Sequence, residues 1–200
     1  MKKISLTVVI LSFSVCCFLL SACVGTSQTS IFYSLKPIDK TSTSISLVKM
    51  GSIGVQEVKV PNYLDKPQMV TMSKDELEVK SSEFNRWSEP LTTLLQRTIA
   101  EDISVYLPKT TVKPKYFTRE HFDYILSLEL NKFDVVFDDK VVIDVWWILF
   151  NDKGKMVLKD RFTQTLPLSS DNYSDAVVIQ SDLVASLAKQ IATRIAKYKK

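Results

Sequence analysis

Glycine and histidine are scarce in this chain, which holds four glycines (Gly25, Gly51, Gly54, Gly154) and one histidine, His121. So few glycines leave no loop in which consecutive backbone amides could cradle a phosphate. No serine occupies a Gly-x-Ser-x-Gly turn, the strained arrangement that presents a hydrolase nucleophile. His121 stands between Glu120 and Asp123 and reads as a surface or strand-edge residue rather than a catalytic base. Asp138 and Asp139 are adjacent but occupy an expected turn, whereas paired-carboxylate catalysis needs both groups facing one cleft. Charge of one sign is also missing: 26 Lys and Arg stand against 22 Asp and Glu. A nucleic-acid binder would show a strongly basic domain or stripe. The one basic cluster, Lys197, Lys199 and Lys200 after Lys189 and Arg194, reads as a solvated helix end that complements the helix dipole. The residues therefore predict no catalytic site, no metal site and no nucleic-acid partner.

Long apolar runs are confined to the start of the chain. Lys2 and Lys3 precede an apolar segment from Ile4 to Leu20, and small residues follow, which is the layout of a secretory signal. Leu20-Ser21-Ala22-Cys23 resembles the lipobox of bacterial lipoproteins. That resemblance implies cleavage after Ala22 and diacylglycerol on the Cys23 sulfur, a covalent lipid in place of any cofactor. The competing reading is an uncleaved transmembrane helix, since about 20 residues span a bilayer. Against it, Ser5, Thr7, Ser12 and Ser14 dilute the segment and no basic stop-transfer cluster follows. Losing Lys2 and Lys3 with the leader leaves 24 basic residues against 22 acidic ones, a balance of +2. Cys16 and Cys17 lie in the leader, so Cys23 is the only cysteine expected in the mature chain. An internal disulfide and a thiolate zinc site are then excluded. The expected organisation is a signal peptide over 1–22, a lipidated tether over 23–30 and one periplasmic domain over 31–200.

Within 31–200 the patterning predicts short strands, a helix, more strands and a second helix. Residues 31–35 and 53–60 are β-rich, and Met69–Met72 and Leu77–Lys80 read as short strands around a turn at Ser73–Asp75. Leu91, Leu94, Leu95, Ile99 and Ile103 repeat at helical spacing, with Ser88 as the expected N-cap and Leu107-Pro108 as the stop. In Tyr124–Leu130 the even positions are apolar, the mark of a half-buried antiparallel strand. Val141–Phe150 is the next strand, and Asn151-Asp152-Lys153-Gly154 is a hairpin turn in which Gly154 can take positive φ. Met156–Thr165 returns, and Pro167 breaks the pattern. Ala176, Ile179, Leu183, Val184, Leu187, Ala188, Ile191 and Ile195 trace one stripe of a long helix over 174–197, capped by Ser174 or Asp171. The prediction is an α+β fold: an antiparallel sheet with two main helices packed on it.

Two linked motifs carry a family resemblance. Pro61-Asn62-Tyr63-Leu64-Asp65-Lys66-Pro67-Gln68 is followed by Arg86-Trp87-Ser88-Glu89-Pro90-Leu91. Together they resemble the PqiC/YmbA-type ABC-type transport auxiliary lipoproteins. Lys66 stands where that family usually has arginine, which keeps the charge and loses the planar fork. The resemblance implies a non-catalytic lipoprotein at the periplasmic face of the outer membrane. It also implies an MCE-domain partner in an envelope lipid transport system, with homo-oligomer formation open. Val24 follows the cysteine where aspartate would signal retention in the inner membrane. A structural lipoprotein of another envelope machine, of secretion-pore or Tol type, and a lipid-anchored periplasmic binder are the alternatives.

Two surfaces carry paired readings. In the first, Trp87 packs beneath the helix start, Glu89 favours its dipole, and Arg86 pairs with Asp65 to fix the Pro61–Gln68 connection. The alternative makes that connection, with Pro61, Tyr63, Leu64, Asp65, Pro67, Gln68, Arg86, Trp87 and Glu89, a docking surface. In the second, Trp146 and Trp147 point to opposite faces of one strand. Val141, Ile143, Val145, Trp147 and Leu149 form the core face. Trp146, Ile148 and Phe150 form either an exposed interface patch or a face covered by a loop.

Overall fold

The computed structural model describes residues 28–40, 44–45, 49–116 and 119–198. The leader, Cys23 and the first part of the tether lie outside the described residues. The strands are β1 (Ile31–Tyr33), β2 (Ser52–Val55), β3 (Gln68–Met72), β4 (Val79–Trp87), β5 (Thr111–Pro114), β6 (Tyr124–Val136), β7 (Asp139–Asn151) and β8 (Met156–Leu168). The helices are α1 (Leu91–Tyr106) and α2 (Tyr173–Tyr198). The α+β order stands, and the sheets are mixed rather than purely antiparallel. One sheet has the order β5-β2-β6-β7-β8 and the other β1-β4-β3. β2 runs parallel to both β5 and β6, and β1 parallel to β4. Parallel neighbours need a long crossover, and here the small sheet and α1 supply the one between β2 and β5.

The helices lie on one face of the large sheet because their apolar stripes match its apolar side. Leu91, Leu94, Leu95, Ile99 and Ile103 of α1 are all buried, as are Leu183, Leu187, Ile191 and Ile195 of α2. They meet Val141, Ile143, Val145, Trp147 and Leu149 of β7, none more than 1% exposed. Trp147 donates its indole N–H to Gln190 on α2 at 2.9 Å, so its one polar atom is satisfied inside the core.

Both expected caps move. Ser88 is not the N-cap of α1: it continues the β1–β4 pairing by donating its N–H to Tyr33 O, and the helix begins at Leu91. Pro90 takes the position instead, and its carbonyl accepts from Thr93 and Leu94. On α2 the cap is Asn172, whose Oδ1 accepts from the Asp175 N–H while its amide donates back to the Asp175 carboxylate. That reciprocal pair resembles a capping box. Strand limits move as well. β2 ends at Val55, and past it Lys59 makes only a single bridge to Glu129. β4 begins at Val79 and carries the chain through Arg86 and Trp87. β6 continues past Leu130 to Val136 through a bulge between Leu130 and Lys132. β8 passes through Pro167, tolerated on an edge strand.

Candidate functional site

The Pro61–Gln68 connection is a joint between the two sheets. Pro61 O accepts from the N–H groups of Leu64 and Asp65, which closes a tight turn and buries Leu64. Tyr63 donates its hydroxyl proton to the Asp134 carboxylate on β6. Burial raises the Asp134 carboxyl above its usual range, and burial followed by this hydrogen bond raises Tyr63 as well. Pro67 O accepts from the Trp87 N–H at 2.8 Å, and Gln68 stands opposite Arg86 in the ladder. Trp87 is buried next to the start of α1, as the packing reading requires.

The expected Arg86–Asp65 pair does not form among the described residues. Arg86 lies on β4 and turns its Nε–H to Glu83 O at 3.4 Å. Glu89 pairs with Arg97 at 2.7 Å, one turn and a half into α1, so its charge serves an ion pair ahead of the helix. Asp65 remains exposed on the rim of an open groove of about 420 Å³ with Glu57, Val58, Lys59, Val60 and Thr92.

The second candidate surface is the outward side of the large sheet. β3 covers one end of it, where Asp134 and Val136 are buried. Trp146 lies beyond that cover and is 38% exposed. Lys159 and Arg161, on the neighbouring strand β8, hold their cations 4.9 Å and 5.5 Å from its ring centroid. Arg161 also binds Asp144 through two parallel N–H bonds at 2.8 Å and 2.7 Å. Thr163 and Asn131 donate to the same carboxylate, and the Arg161 hydrogen bond is foremost in holding Asp144 below the ordinary range. Ile148 and Phe150 are half-buried. A cavity of about 330 Å³ adjoins Phe150, lined also by Ile125 and Phe122 with His121 and Lys115 among its polar groups. The side chains over Trp146 are thus a neighbouring strand's cations and not a loop.

Sequence reasoning missed Asp102. It is fully buried on α1, accepts the Ile38 N–H at 2.9 Å through one oxygen, and leaves the other without a partner among the described residues. Burial pushes its carboxyl up to about 7. The signal was present, since position 102 falls on the stripe of Leu95 and Ile99. Ile38 belongs to a strap over both helices: Lys36 donates its N–H to Ser181 of α2, and Leu35 is buried. Among the described residues no three His, Cys, Asp or Glu side chains converge as metal ligands. No described helix is long and apolar enough to cross a membrane.

A profile described as ABC-type transport auxiliary lipoprotein component matches residues 33–192. Two solved structures share the fold. One, a crystal structure described only as an uncharacterized protein, superposes with a TM-score of 0.70 at 24% identity, covering 84% of this chain and 99% of that one. The other, XCC0632 from Xanthomonas campestris, labelled DUF330, gives 0.71 at 14% identity, covering 84% and 96%. No curated protein matches.

Proposed function

The chain belongs to the family of ABC-type transport auxiliary lipoprotein components, and from that premise we propose a non-catalytic docking role in an MCE-type envelope lipid transport system. The body is anchored by lipid on Cys23 at the periplasmic face of the outer membrane. An MCE-domain protein is its partner, and the Trp146 face is where that partner docks. What supports the reading is the unequal treatment of the large sheet. One side is sealed by two helices, while the other presents an aromatic ring between two cations next to half-buried Ile148 and Phe150. Such a patch, aromatic and arginine-bearing, has the composition of a binding hot spot.

Photocrosslinking in cells from position 146 tests this. The expected product is a covalent adduct with an MCE-domain protein, and Trp146→Glu should abolish copurification of that protein while the variant stays folded. A secretion-pore or Tol-type component as the main adduct would replace the proposal with the structural-lipoprotein alternative. The anchor is tested separately with Cys23→Ser, which should remain unprocessed and take up no palmitate. A matured, palmitate-labelled Ser variant overturns it.

A further inference from the structure

Exposed apolar side chains are not spread evenly over the described residues. Of nine large ones, four lie on β1, β4 or the turn before β4: Ile31, Phe32, Leu77 and Val79. Leu77 is the extreme case, at 81% exposure. A single exposed leucine needs no explanation, but this one is held out by a hydrogen-bonded turn. Ser73 N–H donates to Glu78 O at 3.0 Å, Glu78 N–H to Ser73 Oγ at 2.9 Å, and Leu77 N–H to Asp75 Oδ1 at 3.2 Å. Glu76, at φ 58°, is pinned from the other sheet by Lys140 at 2.8 Å and Lys132 at 3.4 Å. The turn is therefore braced against the body and presents Leu77 and Val79 outward.

Strand direction and chain length say what this tip meets. Because β1 runs parallel to β4, with Ile31 opposite Asn85, the start of β1 faces back along β4 toward Val79 and the turn. From Ile31 to Cys23 is eight residues, a reach of at most about 28 Å. From Asn85 back to Val79 is six strand residues, about 20 Å. An anchor at Cys23 thus has the reach to come level with the tip and little to spare. We propose that the β3–β4 turn, through Leu77 and Val79, rests in the interface of the phospholipid bilayer that carries the lipid anchor. This fixes the orientation of the body and rests on the Cys23 anchor reading above. Lys74 and Lys80 at the tip are matched by Asp75 and Glu78, so the contact is apolar and insensitive to salt.

The test uses the full lipidated chain in phosphatidylcholine vesicles, with and without bromine on the acyl chains. Cys23 carries lipid, so Leu77→Cys can be labelled alone with an environment-sensitive nitrobenzoxadiazole dye. Lys153→Cys, on the β7–β8 turn at the far end of β7, is the control. With the protein floating on vesicles, the dye at 77 should brighten severalfold, shift to the blue and be quenched by brominated chains. The dye at 153 should do none of these, and raising salt should leave the result unchanged. A floating protein whose dye at 77 stays as wet as that at 153 overturns the tip contact and leaves the anchor standing. A protein that fails to float overturns the anchor reading and the tip contact with it.

Discussion

Trp146 and Trp147 are neighbours on one strand and live in different chemistry. Trp147 is fully buried among helices and aliphatic side chains, with its only polar atom bonded to Gln190. Trp146 lies under two cations, one of them already committed to Asp144. The inner face of the sheet is held by removal of apolar area from water, which is non-directional. The outer face is held by charge-assisted hydrogen bonds that organise an accessible aromatic. A chain that separates cohesion from presentation in this way can change its outer surface with little effect on its folding.

The largest effect should come from the inner face. Trp147→Ala removes a fully buried indole and its hydrogen bond to Gln190, at a cost of about 3–5 kcal/mol, read from the midpoint of denaturant unfolding. A loss under about 1 kcal/mol would break the comparison at its root. Asp102 is the exception inside the helical layer, and it sharpens the contrast. Its carboxyl is raised by burial to about 7, so the folded state holds its proton more tightly than the unfolded state. The stability it contributes is fully present below about pH 4 and is lost as pH rises through about 7, on the order of 4 kcal/mol in total. Asp102→Asn keeps the acceptor for Ile38 and should flatten that slope when unfolding is followed against pH. An unchanged slope in the variant would assign the pH dependence to another group.

Much of this division is legible in the residues alone. The alternation of β7 separates Trp147 from Trp146, and the stripes of α1 and α2 mark the inner layer. Other features depend on pairing that no local pattern carries. The bulge after Leu130 shifts the core-facing positions of β6 from even to odd, so Phe133 and Val135 continue the face that Leu130 ends on the even count. The parallel pairing of β2 with β6 joins residues about seventy positions apart. Tyr63 and Asp134 are likewise 71 positions apart, so no local pattern shows that the motif is anchored on β6. The cations over Trp146 follow from the β7–β8 register, which sets Arg161 opposite Trp146 and Lys159 opposite Ile148.

On the outer face the effects should be smaller, and different in kind. Asp144→Ala removes a nearly buried carboxylate and frees Arg161, itself half exposed, with a cost of about 1–3 kcal/mol. Because the folded state holds the Asp144 carboxyl below its ordinary range, its contribution is present above about pH 4 and lost as pH falls below that. The slope is opposite in sign to that of Asp102, so the two variants should diverge when compared across acid and neutral pH.

Trp146→Ala is the smallest step and the most informative. Its ring is more than a third exposed, and its contacts with Lys159 and Arg161 are worth about 0.5–1 kcal/mol at a wet site. Thermal unfolding should therefore shift by only a few degrees, while the Asp144–Arg161 pair keeps the strand register. Trp146→Glu should unfold almost as late, since the added carboxylate meets the same two cations. If either variant loses stability on the scale of Trp147→Ala, Trp146 belongs to the core and the two faces are not distinct. If both stay folded and both release the partner, the outer face serves recognition, and the two indoles divide the work of one strand between holding the body together and offering it to another protein.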